Sequence, residues 1–189
     1  METFMESVVS QSAQNAGFTL IELMIVIVLM SIFVTVGVPS FQNTIRENRL
    51  STQANELVSS LHFARSESIK RRLPISVCRI VNGFACVTVG TASWEQGWLV
   101  FIDTNSNGAV DGETILRSVD NTPDSTLRYT DSAAANNNLI LFRSNGLLAS
   151  TGGSFNLCNE TTADTASGRN IRINVTGQVV TAQPATSCP

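Results

Sequence analysis

Hydrophobic and polar positions divide the chain into two unlike regions. From Phe18 to Val38 the residues are apolar almost without a break, and Glu22 is the one ionisable side chain among them. A helix over those positions, rising about 1.5 Å per residue, spans roughly 30 Å, the thickness of a bilayer core. Pro39 lacks the N–H that a helix interior needs, so a bend is expected there, next to Gly37. The helical pattern then resumes: Phe41, Ile45, Leu50, Ala54, Leu57, Val58, Leu61, Ala64 and Ile69 recur at roughly helical spacing, with Arg46, Glu47, Arg49, Glu56, Arg65 and Glu67 on other faces. The spacing predicts an apolar segment over 18–38 running into an amphipathic helix over 39–73, which Pro74 ends.

Beyond Pro74 the runs shorten. Ile75–Ile80, Phe84–Val89, Trp98–Asp103, Thr114–Ser118, Leu139–Arg143, Ser154–Leu157, Ile171–Val175 and Gln178–Ala182 read as strands punctuated by Gly and Asn. Asn82-Gly83 and Thr176-Gly177 are two-residue hairpin signals. The stretch Asn121–Asn138 is rich in turn formers, and no element is predicted in it. The expectation is an α+β chain, with a long N-terminal helix packed through its apolar stripe on antiparallel sheets that form a β-rich head over 74–189.

A length of 189 residues suits one globular domain plus an appendage. Only 14% of residues are charged, while Ser, Thr, Asn and Gly crowd the second half, as in exported β-rich domains. Net charge is −3, and without Glu2 and Glu6 the chain sets 12 basic residues against 13 acidic ones. A globally basic, nucleic-acid-binding surface is thereby excluded, though a local patch is not. The four cysteines have no C-x-x-C spacing and the single histidine, His62, falls in the predicted helix, so zinc is poorly supported. In an oxidising compartment they form two disulfides; three connectivities are possible, and proximity favours Cys78 with Cys86 and Cys158 with Cys188.

Glu22 is the most informative residue. A carboxylate in an apolar membrane helix costs on the order of 3 kcal/mol even on lenient insertion scales, so it calls for a partner. The block Gly17-Phe18-Thr19-Leu20-Ile21-Glu22-Leu23, with the apolar run behind it, resembles the class III signal sequence of type IV pilins and type II secretion pseudopilins. The resemblance implies a leader over 1–17 cut by prepilin peptidase after Gly17, an N-methylated Phe18 as the new terminus, and a Glu22 that pairs with a neighbouring subunit's terminal amine. Such a pair relieves the desolvation cost of both charges and fixes axial register. The segment before Gly17 carries Glu2 and Glu6 and no Lys or Arg, unlike the basic leaders of that class.

A second block, Trp94-Glu95-Gln96-Gly97-Trp98-Leu99-Val100-Phe101-Ile102-Asp103, precedes a turn rich in Asn, Gly and Asp and then Ile115-Leu116-Arg117. It resembles the heads of GspH/FimT-type minor pilins. What this implies is a type IV pilin-like fold and a non-enzymatic minor pilin of a type IV pilus; the GspH-like pseudopilin of a type II secretion system is the alternative. The implied location is the bacterial inner membrane with the head in the periplasm, then the pilus or pseudopilus. The implied partners are other pilins, with no cofactor. Trp94 and Trp98 read as core or edge aromatics, and no nucleophile elbow, phosphate loop or metal-binding helix is present.

Two further motifs carry chemistry. Asp103, Asn105, Asn107 and Asp111, with Gly108 between the last two, follow the first nine places of a calcium loop, but Thr114 stands where the bidentate glutamate belongs and Glu113 comes one position early. A membrane-anchored calcium-binding module is the reading from a different class. Gly168-Arg169-Asn170-Ile171-Arg172 resembles the Gly-Arg-rich C-terminal motif of FimT members that bind DNA in natural transformation, with a spacing one residue longer. Arg169 in a turn and Arg172 on a strand face at a hairpin edge would reach successive phosphates of duplex DNA. Lys70-Arg71-Arg72 either contacts DNA in the same way or complements the dipole of the helix it ends.

Overall fold

The computed structural model describes residues 17–80, 85–87, 90, 93–120, 124–133, 137–160 and 164–188. One helix, α1, spans Leu20–Arg71 with Pro39 inside it. Its start is capped by Thr19, whose hydroxyl accepts from Glu22 N at 3.2 Å and whose carbonyl accepts from Leu23 N at 3.2 Å. It stops where Arg72 turns left-handed, at φ 58°, just ahead of the Leu73-Pro74 pair, which disfavours further helix.

The chain separates into two compact units, one ending at Asn43 and the other running from Thr44 to Pro189. In the first, every described residue is exposed, including Ile21, Ile27, Phe33 and Phe41. In the second, α1 buries one stripe: Leu50, Ala54, Leu57, Leu61 and Ala64 all lie in the main core, with Val58 packed at its margin. Ile45 and Ile69 belong to the expected stripe by spacing but stay exposed.

Two four-stranded antiparallel sheets complete this unit. The first has the order β3-β2-β1-β5, with β1 Ile75–Arg79, β2 Gly97–Ile102, β3 Ile115–Asp120 and β5 Leu139–Phe142. The second has the order β4-β6-β7-β8, with β4 Ser125–Asp131, β6 Gly152–Asn159, β7 Arg169–Asn174 and β8 Val179–Ala182. Strand alternation sends Ile75, Val77, Trp98 and Val100 from the first sheet, and Leu127, Tyr129, Phe155, Leu157, Ile171 and Ile173 from the second, into one core with the helix stripe. Trp94 and Trp98 are fully buried, and Trp94 meets Phe155 edge-on at a centroid distance of 5.1 Å. On the other face of the first sheet Cys78, Ile80, Leu99 and Phe101 form a smaller core, against which Cys86, Val110 and Leu139 pack.

The expected strands at Ile75, Trp98, Thr114, Leu139, Ser154, Ile171 and Gln178 all correspond to strands, with ends shifted by one or two residues. Asn82-Gly83 lies outside the described residues; of the expected Phe84–Val89 strand, the described part shows a single bridge, Ile80 to Cys86. The stretch from Asn121 to Asn138 needs correction: it contains β4, whose Leu127 and Tyr129 alternate with Thr126, Arg128 and Thr130 and pair along β6. Disulfides join Cys78 to Cys86 and Cys158 to Cys188, at Cα separations of 5.5 and 5.8 Å.

Gly97 opens β2 at φ 115°, and a Cβ there would sit 2.4 Å from Val119 O. Gly112 is also left-handed, at φ 83°, but has open space around it. Gly97→Ala should therefore cost at least about 3 kcal/mol, strain plus overlap with backbone, and Gly112→Ala only about 1 kcal/mol. Chemical unfolding of the chain in detergent micelles checks this, and equal midpoints for the two variants would refute it.

Candidate functional site

Four groups of residues were singled out by their chemistry, and the structure treats them differently. At the N-terminus Gly17 and Phe18 precede the helix, and Glu22 falls in its first turn, where the helix dipole favours a negative charge. Glu22 is exposed within a surface of Leu20, Ile21, Leu23, Met24, Ile25 and Val26, all exposed as well. α1 is long and apolar enough in this part to cross a membrane. An apolar surface of this extent is not a soluble face; it requires lipid or other apolar helices.

The loop from Asp103 to Glu113 is held by its own backbone. Asp103 is fully buried; its Oδ1 accepts from Asn107 N at 3.0 Å, and its Oδ2 accepts from Gly108 N at 3.0 Å and from the Ser76 hydroxyl at 2.6 Å. Asn105 Oδ1 accepts from Asn107 N, Asn107 Nδ2 donates to Asp111, and Glu113 accepts from Thr104 N. The oxygens that would ligate a cation are directed at N–H and O–H donors. Their placement explains the turn that returns the chain from β2 to β3, with Val110 and Leu139 over the smaller core.

The two arginines read as a pair are separated. Arg169 is the first residue of β7 rather than a turn residue, and β7 is hydrogen-bonded on both sides, to β6 and β8, so neither arginine is on an edge strand. Three positions apart on a strand, they project from opposite faces. Arg169 shares the face of Ile171 and Ile173: its Nη2 donates to Ser51 Oγ on α1 at 3.2 Å and its Nη1 to Ser167 O at 2.5 Å. The Gln183 amide oxygen, in the orientation that satisfies both groups, accepts from Arg169 Nη2 at 2.7 Å and Nε at 2.8 Å. Arg172 is exposed on the outer face, where its Nε donates to Asn170 Oδ1 at 3.0 Å. The role of Ser51 has no signal in the sequence, because it lies 118 positions from Arg169.

Within the basic triplet, Lys70 and Arg71 both reach back to Glu67, one helical turn away, and the exposed Arg72 ends the helix. Glu67 is nearly buried, which by itself would favour its neutral form.

A profile of the family described as type II transport protein GspH matches residues 53–177, and one for the prokaryotic N-terminal methylation motif matches residues 12–38. The chain belongs to the GspH family. A GspH-family protein with this N-terminal motif is a minor pilin or pseudopilin, of a type IV pilus or a type II secretion system, and the family is a structural rather than an enzymatic one. The motif and the apolar helix behind it imply membrane anchoring, processing by prepilin peptidase and assembly with other pilins. The fold is that of a type IV pilin. Crystal structures of the type IV minor pilin FimU of Pseudomonas aeruginosa, in two crystal forms, are similar to it. In one, identity is 23%, 76% of this chain and 98% of the crystallised FimU chain are covered, and the TM-score is 0.60; in the other, the values are 24%, 74%, 100% and 0.58. Among curated proteins none matched this GspH-family chain.

The hydrogen bond from Arg71 holds the Glu67 carboxyl below its ordinary value, against the opposing effect of burial, with Lys70 assisting. Because that pKa is depressed on folding, the stabilisation is complete above the usual carboxylate range and is lost as pH falls through the lowered value. Glu67→Gln should therefore unfold earlier than wild type at neutral pH, and the gap should close in acid. Thermal midpoints across a pH series check this; a gap that persists or widens in acid would refute it.

Proposed function

We propose that this GspH-family chain is a minor pilin of a type IV pilus. In this reading prepilin peptidase removes residues 1–17, Phe18 is methylated, and residues 18–38 are held first in the inner membrane and then in the filament. Residues 39–73 form the second half of the helix, and residues 74–189 form a head in the periplasm. The observation that carries the reading is the exposed apolar helix surface with Glu22 as its single ionisable group, one turn from a terminus that cleavage after Gly17 would create.

In lipid, the new ammonium of one subunit and the Glu22 carboxylate of the next are each poorly solvated, and each is the other's nearest remedy. Pairing makes insertion of a subunit register-specific, because a displaced helix leaves both charges unmatched. The FimU likeness covers nearly all of the crystallised chain of that type IV minor pilin and supports the pilus over other filaments. Duplex DNA is left out of the proposal, since the two arginines that would have bound successive phosphates face opposite ways.

The family description, type II transport protein, favours a second reading as a pseudopilin of a secretion system. The two separate by deletion phenotype: loss of surface pili with secretion intact supports the pilus, and the reverse supports the pseudopilin.

Intact-mass analysis of the assembled protein should give an N-terminus at methylated Phe18. Glu22→Gln should lower the filament-bound fraction at least about tenfold while leaving membrane levels unchanged. A different N-terminus, or unimpaired incorporation of the variant, would overturn the assembly mechanism.

A further inference from the structure

The outer face of the second sheet is polar and only partly covered. Since Phe155, Leu157, Ile171 and Ile173 point into the core, Ser154, Asn156 and Cys158 of β6 and Asn170, Arg172 and Asn174 of β7 point away from it. Cross-strand register lines up Thr130, Ser154, Arg172 and Val180 in one row, and Arg128, Asn156, Asn170 and Ala182 in the next.

The C-terminal segment covers the second row. Cys188 is tied to Cys158, Thr186 donates through its hydroxyl to Asn156 Oδ1 at 2.8 Å, and Asn170 Nδ2 donates to Asn156 Oδ1 at 2.9 Å. Asn170 is 2% exposed, and its remaining oxygen accepts from Arg172 Nε. The disulfide-tied tail thus locks Asn170, and Asn170 in turn fixes the plane of the Arg172 guanidinium.

The first row is left open. Arg172 lines a shallow pocket of about 550 Å³ with Ser132, Thr151, Ser154, Asn174 and Gln178, and it is the one charged residue of that lining. Among the described residues neither Nη atom of Arg172 has a partner, so the pocket holds an oriented two-pronged donor set among hydroxyls and amides, with no carboxylate to quench it. The other arginine on this face, Arg128, is engaged by Glu95.

We propose that this pocket is a carboxylate-binding site, taking an acidic side chain or a chain end of a neighbouring protein subunit. With Nε already spent on Asn170, the guanidinium offers its Nη1/Nη2 end, which matches the two oxygens of one carboxylate. A nucleic acid would present a row of phosphates needing several cations along its path. Of the two arginines described on this face, only Arg172 is not already paired with a carboxylate. The site goes beyond the filament reading and depends neither on Glu22 nor on which filament the chain joins, so its test can fail while that reading stands.

The test uses the full chain in detergent micelles, followed by the NMR signal of Arg172 Nε–H. Two carboxylate probes separate the sources: acetyl-Gly-Glu-Gly-amide presents a side chain, and acetyl-Gly-Gly-Gly a chain end. Acetyl-Gly-Gln-Gly-amide is the neutral control, and a short DNA duplex the polyanion. At least one carboxylate probe should shift the signal saturably and the neutral control should not. Affinity, followed for the variant through backbone amides of the pocket, should fall at least about tenfold in Arg172→Gln. Ser154→Asp places an acid directly across from Arg172 and should occupy the site, removing probe binding in a chain that unfolds at the wild-type midpoint. Equal shifts with the neutral control, no shift with either carboxylate, or Arg172-dependent duplex binding tighter than both peptides would each overturn the proposal.

Discussion

In the assembly proposed for this chain, one carboxylate cut off from water governs how the helix packs. Glu22 lies in a helix surface otherwise made of Leu, Ile, Val, Met and Phe, and such a surface can only be satisfied by lipid or by like helices. Neither environment solvates a charge. In the proposed reading the cation that meets it is the terminal amine of another copy or relative. On that reading filament register follows from one electrostatic pairing, while membrane insertion follows from the apolar surface around it.

The head solves a different problem. Its helix stripe from Leu50 to Ala64 supplies one wall of a core that the two sheets close, while the exposed apolar residues before Asn43 take no part in it. Disulfides fasten the two places where the sheets' outer faces are covered by non-strand chain: Cys78–Cys86 at the smaller core and Cys158–Cys188 at the C-terminal tail. The second tie does more than hold the tail, since through Thr186, Asn156 and Asn170 it reaches the outward guanidinium of Arg172.

What the sequence made legible follows from which signals are local. The apolar run, the helix stripe and most strands are periodicities that a short window contains, and the structure places elements at each of them. β4 was missed because Ser, Asp, Asn and Pro on either side of it outweigh a strand whose alternation rests on two apolar residues, Leu127 and Tyr129. The shared hairpin edge expected for Arg169 and Arg172 is absent for another reason: at an odd spacing two residues share a turn but not a strand face, and only the sheet reveals that Arg169 belongs to Ser51 and Gln183. The calcium-like loop shows the same limit, since alternate oxygens serve backbone N–H groups as readily as a cation.

The measurement closest to the central claim is the distance between the Phe18 nitrogen and the Glu22 side-chain carbon of adjacent subunits in assembled filaments, read by solid-state NMR on labelled protein. The account predicts an intersubunit contact of about 4 Å, the range in which two charges screened from water hold each other strongly. Finding the amine and the carboxylate apart in an intact filament, each facing lipid or a different group, would contradict it.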